Sequence, residues 1–251
     1  MKTTDHDYKQ LWDEVVGRLS PAGVSLLFFI ITIYSTVITI ISRLTIEDSS
    51  VRNNYNLYDM VNLMGNVLIF QIILTAIFII KPIAYRLQKL QIVILVVYMF
   101  KFGLESYVLV LMFYDYTLMS NVYGYAVISS IALGFIVLIF TLIYCSYRIS
   151  KGHLREGGEG FHKLHRNSPL LLFPLFSGAL IVVVGIILCK VQSGYVDYTF
   201  FLFLGFLMMI QYICFASIAE IIIVAYCKIE YPSFTVQPIK SRLNIKNFKI
   251  R

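Results

Sequence analysis

Six stretches of almost unbroken apolar residues, at 21–42, 60–80, 91–113, 122–147, 169–189 and 198–227, alternate with short polar segments along the 251-residue chain. The hydrocarbon core of a bilayer is about 30 Å thick, and a helix rising about 1.5 Å per residue needs about 20 residues to cross it. Each stretch meets that length, so the pattern predicts an all-α transmembrane bundle of six spans, arranged as three in-out-in hairpins. Ser20 before Pro21 and Ser168 before Pro169 mark two helix starts, because a serine hydroxyl caps free amides and proline suits the first helical position. Pro174 predicts a kink in the fifth span, and Gly178 and Gly185 a close helix contact on one face. No internal repeat relates the three hairpins.

Residues 1–20 form a polar leader in which Leu11, Trp12, Val15, Val16 and Leu19 share one helical face. This predicts a short interfacial helix with Trp12 at headgroup level. Such a long polar start, with no small-residue cleavage site after the first span, does not fit a cleavable signal peptide. After the sixth span, residues 228–251 alternate basic and apolar positions and are expected to be a disordered tail drawn to anionic lipid.

Composition removes the soluble alternatives. The chain is 59% hydrophobic and 14% charged, with a mean hydropathy of +0.78, whereas soluble domains carry about 25% charged residues. Little length remains for a catalytic domain outside the membrane. The net charge of +7 does not point to nucleic acid, because the basic residues flank the spans instead of gathering in one domain. Alternate flanks hold seventeen Lys and Arg against three (Arg43, Arg52 and Lys190), and the poorer side carries Glu47, Asp48, Asp59, Asp115 and Asp197. The basic side is therefore expected in the cytoplasm, with both termini there and basic loops against anionic headgroups. Richness in Ile, Phe, Tyr, Lys and Asn fits an AT-rich genome and the plasma membrane of a low-GC bacterium.

Few groups in the spans carry chemistry. Lys101 and Glu105 stand one turn apart in the third span, and charges at that depth are costly enough to be paired and turned inward. The second span offers Asn62, Asn66 and Gln71; its short link to the third suggests antiparallel neighbours, with Asn66 and Gln71 hydrogen-bonding the charged pair. Gln211 in the sixth span is a candidate to join them. Glu220 is expected near the cytoplasmic interface, beside Lys228 or loop arginines. In the loop after the fourth span His153, Glu156, Glu159, His162 and His165 lack a zinc-binding spacing, and the four cysteines suggest neither a disulfide framework nor a metal site. Neither enzyme motif nor cofactor signature is present.

The polar leader, the first span SPAGVSLLFFIITIYSTVITI, the three hairpins and the basic tail resemble in layout the multi-span membrane proteins encoded in type VII secretion loci of low-GC Gram-positive bacteria. The resemblance implies a secretion accessory, or an immunity factor protecting the producer from a membrane-active toxin. It implies no site residues. The leading expectation is accordingly a non-enzymatic membrane protein acting through helix contacts with a membrane protein partner or toxin. The alternative is a small channel or transporter whose polar path runs by Lys101, Glu105, Gln71 and Asn66.

Overall fold

The computed structural model describes residues 5–48, 55–113, 121–155, 172–193 and 197–237. Among them the ordered elements are all helical. A 3-10 turn at Asp5–Leu11 leads into α1 (Trp12–Val16), followed by α2 (Pro21–Asp48), α3 (Tyr55–Ile79), α4 (Lys81–Arg86), α5 (Gln88–Phe113), α6 (Asn121–Ser150), α7 (Leu172–Ser193) and α8 (Tyr198–Glu230). Five of these, α2, α3, α5, α6 and α8, are long and apolar enough to cross a membrane. The fifth expected span corresponds to α7, 22 residues of helix whose side chains are described over Gly178–Val191. The chain is thus built as a multi-pass membrane protein.

Local chemistry sets several boundaries. Ser20 Oγ accepts the Gly23 amide at 3.2 Å and Pro21 follows at the helix start. At α8, Asp197 Oδ1 accepts the amides of Thr199 (2.9 Å) and Phe200 (3.2 Å), satisfying two of the donors a helix start leaves open. The link between the second and third spans, read from sequence as loop, is the short helix α4 with Pro82 in its first turn. Ser168 and Pro169, the loop with Glu156, Glu159, His162 and His165, and the tail beyond residue 237 lie outside the described residues.

Contacts show how the helices run. Ser25 meets Phe78, Thr32 meets Thr75 and Ser35 meets Gln71, so α2 and α3 are antiparallel. Numbers rise together where Ser25 meets Gln91 and Ser35 meets Lys101, so α2 and α5 are parallel. By the same test α8 is antiparallel to α5, through Lys89 with Ile229 and Tyr107 with Gln211. It is parallel to α6, through Tyr123 with Phe200 and Gly134 with Gln211, and antiparallel to α7.

Two helices act as wedges. α2 packs on both α3 and α5, and α8 packs on α5, α6 and α7. Adjacency of the second and third spans, expected from their short link, is thereby corrected: α3 packs chiefly on α2 and α5 on α8 and α2, and Tyr98 of α5 reaches only the Gln71 backbone of α3. Apolar surface gains little by leaving lipid for protein, so close packing must hold such helices together. Phe100, Phe135 and Phe215 knit α5, α6 and α8 with ring centroids 5.3–6.3 Å apart. Gly178 is turned toward Met208 and Tyr212, and at Gly185 the Phe201 ring fills the place of a side chain. Both glycines therefore face α8.

Candidate functional site

The polar groups of three helices converge halfway along the bundle. Ser35 on α2 and Lys101 on α5 each lie roughly 20 Å from the start of their helices at about 1.5 Å per residue. Lys101 Nζ donates to Glu105 Oε1 at 2.7 Å and to Ser35 Oγ at 2.8 Å, while Ser35 Oγ donates to Glu105 Oε2 at 2.6 Å. Ser35 is thus the hub of a closed triangle around the ion pair. Glu105 is only 4% exposed, so both of its oxygens depend on these donors.

From α3, Gln71 brings its amide nitrogen to Thr32 Oγ1 at 3.3 Å and Ser35 Oγ at 3.4 Å. Thr32 and Thr75 share a 2.8 Å hydroxyl contact, and Tyr98 donates to the backbone carbonyl of Gln71 at 2.9 Å. Toward the start of α2 this polar seam is shut by aromatic rings: Phe28 lies 4.6 Å from Tyr98 and 5.5 Å from Phe78, centroid to centroid. Below the rings a second polar group closes the bundle end, where Gln91 donates to the Pro21 carbonyl (2.9 Å) and Ser25 Oγ (3.0 Å).

Four of the residues singled out in sequence go elsewhere or meet other partners. Asn66 and Asn62 are exposed on the outer face of α3, so Asn66 is not part of the cluster. Five residues turn a helix by about 140° net at 3.6 residues per turn, which places Asn66 far from Gln71's face. Gln71 reaches the ion pair only through Ser35. Gln211 does not join the cluster: it accepts from Tyr107 at 2.7 Å, donates to the Ile131 carbonyl at 3.4 Å, and occupies the space a side chain at Gly134 would take. Tyr107, two residues beyond Glu105, points to the opposite side of α5. Gln211 therefore ties α5, α6 and α8 as a separate node.

Glu220 is paired with neither Lys228 nor a loop arginine. Buried near the end of α8, it takes an ion pair from Arg18, just before α2. The leader folds over this end of the bundle, with Leu11 and Val15 fully buried and Tyr8 packed against Tyr226 and Tyr231. Trp12 meets Phe234 edge-on at 6.0 Å. Lys228 Nζ donates to the Leu19 carbonyl at 2.7 Å, and the Gln10 amide to the Leu154 carbonyl at 3.0 Å. Gln88 clamps the backbone of Val236 with both amide atoms. The leader is a docked cap, in which the expected short helix is α1 and its apolar face is turned to the bundle. Its apolar face found a protein surface, and Trp12 alone of that face is left at the rim.

This cap gives a direct prediction. Arg18→Ala leaves Glu220 buried without its ion pair, a loss of about 1–2 kcal/mol, which by local opening translates into roughly 5- to 30-fold easier release. Trypsin cleavage after Lys9 is expected to accelerate by that factor under native conditions, with cleavage at sites beyond the leader unchanged.

No family model, curated protein or solved structure matches the chain. The chemistry of the seam between α2, α3 and α5 therefore carries the functional conclusion. Sequence inspection found Lys101, Glu105 and Gln71 but missed Ser35, Thr32 and Thr75. The signal was present in the first span, where Ser25, Thr32, Ser35, Thr39 and Ser42 fall on one stripe of an otherwise apolar helix.

Proposed function

We propose that the chain is a small, non-enzymatic transport protein of the bacterial plasma membrane that passes protons along the polar seam of α2, α3 and α5. The observation that carries this is the Lys101–Glu105 pair at mid-depth, met by polar groups from two further helices. Fixing helix register needs only neutral contacts such as Gln71 with Ser35, worth about 1 kcal/mol or less. Each charge placed at that depth costs at least about 2.5 kcal/mol. An ammonium, a carboxylate and a bridging hydroxyl also form a chain along which a proton can be handed.

The test uses purified protein in sealed liposomes with an internal pH-sensitive dye and an imposed potassium diffusion potential. Proton entry well above that of protein-free vesicles is expected. Entry equal to protein-free vesicles removes the proposal.

A second reading, an accessory or immunity factor working by helix contacts, is favoured by a different feature. An apolar groove of about 640 Å³ runs between α7 and α8, with Gly178, Ala179 and Gly205 in its floor. Small residues let a partner helix approach closely. A partner that is recovered with the wild type and lost with Gly205→Leu supports this role.

In either role the basic end of the bundle faces the cytoplasm. Reporter fusions after Lys89, Arg166 and Arg251 are all expected to give cytoplasmic signals, and an external signal at any of them overturns the orientation.

A further inference from the structure

Hydroxyls inside helices commonly return their proton to the carbonyl one turn back. On α2, Ser25, Thr36 and Thr45 do so, at 2.9, 2.8 and 2.9 Å. Thr39 and Ser42 sit between them on the same helix and do not. They are 3% and 0% exposed, and neither hydroxyl has a hydrogen-bond partner among the described residues. The same holds for Gln71 Oε1, on a side chain that is 1% exposed. Each such group costs about 1–3 kcal/mol if it stays dry. Thr39 and Ser42 continue the stripe that begins at Thr32 and Ser35, and Gln71 opens onto that stripe from α3.

We infer that the seam from Gln71 past Thr39 to Ser42 holds a chain of bound water, connecting the Lys101–Glu105 pair to the end of the bundle where α2 and α5 finish. Three features select water over an ion. A metal cation would lie beside the Lys101 ammonium with no second carboxylate to balance it, since both Glu105 oxygens are already engaged. An anion would face the Gln71 carbonyl oxygen and the Glu105 carboxylate. Water both donates and accepts, and a buried water is held by two to four polar partners of this kind. The direction follows from the rings of Phe28, Phe78 and Tyr98, which close the seam on the other side. At this end Arg43, next to Ser42, lays its guanidinium against Gly65 of α3, beside the apolar cluster of Ile38, Val61, Met64 and Val108 that flanks the stripe. The inference deepens the transport reading and rests on it for its purpose, while its labelling test is independent of flux.

The test introduces Thr39→Cys or Ser42→Cys, one at a time, into the natural chain in sealed vesicles. A small water-soluble methanethiosulfonate is added and adducts are counted by intact mass against the parent protein. Ile40→Cys is the control, since Ile40 is on the same helix but exposed on its outer face. One extra adduct at positions 39 and 42, formed at least 10-fold faster than at 40, is the expected result. Rates no faster than at position 40 overturn the inference. Because cysteine changes the shape of the site, Thr39→Val with Ser42→Ala serves as a second variant. A hydrated seam predicts at least a 10-fold fall in proton entry with normal membrane insertion, whereas a stabler protein that conducts as before shows a dry seam and overturns it. Labelling at 39 and 42 in a protein that passes no protons leaves the water chain standing and removes the transport reading.

Discussion

Replacing Lys101 alone by methionine is expected to cost more stability than replacing Lys101 and Glu105 together by methionine and leucine. The single change leaves a nearly inaccessible carboxylate facing Ser35 with its ammonium gone. Removing one partner of a buried ion pair costs about 3–5 kcal/mol, whereas exchanging both for apolar residues of similar volume is often neutral or stabilising. At about 2–4 °C per kcal/mol for a chain of this size, the thermal midpoint in detergent should fall by roughly 10 °C for Lys101→Met. The double variant should fall by only a few degrees. Equal losses in the two would mean that the pair contributes through packing, with no penalty for stranding a charge.

Phe28→Ala is expected to have the second large effect, because Phe28 combines two roles. It is completely buried between Phe78 and Tyr98, and truncating such a ring costs about 3–5 kcal/mol in a close-packed core. Its removal also opens the barrier between the Gln91–Ser25 contact and the Thr32–Gln71 group. Proton leak should rise several-fold above wild type, and Phe28→Leu, which keeps most of the volume, should leak less. A variant that is less stable yet conducts as the wild type does would place the barrier elsewhere.

What could be read from sequence was what each span holds within itself. Span lengths follow from bilayer thickness, and helical spacing puts Lys101 and Glu105 together whatever surrounds them. What could not be read depends on which helices meet. Ser35 is an ordinary span residue until α2 is known to lie between α3 and α5. The short link through α4 suggested direct pairing of α3 with α5, yet a hairpin's two arms can be parted by a third helix. Arg18 finds Glu220 across 202 positions of sequence, a distance over which periodicity carries no information. Gln211 stands at a depth similar to the charged pair, but its face of α8 looks toward Tyr107 and Gly134. Asn66 is the one error that helical geometry alone would have caught, since it cannot share a face with Gln71.

The central claim is that the charged pair conducts and does more than hold helices together. It is tested most directly by measuring thermal midpoint and proton entry on one preparation of the Lys101→Met, Glu105→Leu double variant in liposomes. A midpoint within a few degrees of wild type is expected together with proton entry reduced to that of protein-free vesicles. A well-folded double variant that still admits protons at the wild-type rate would contradict it.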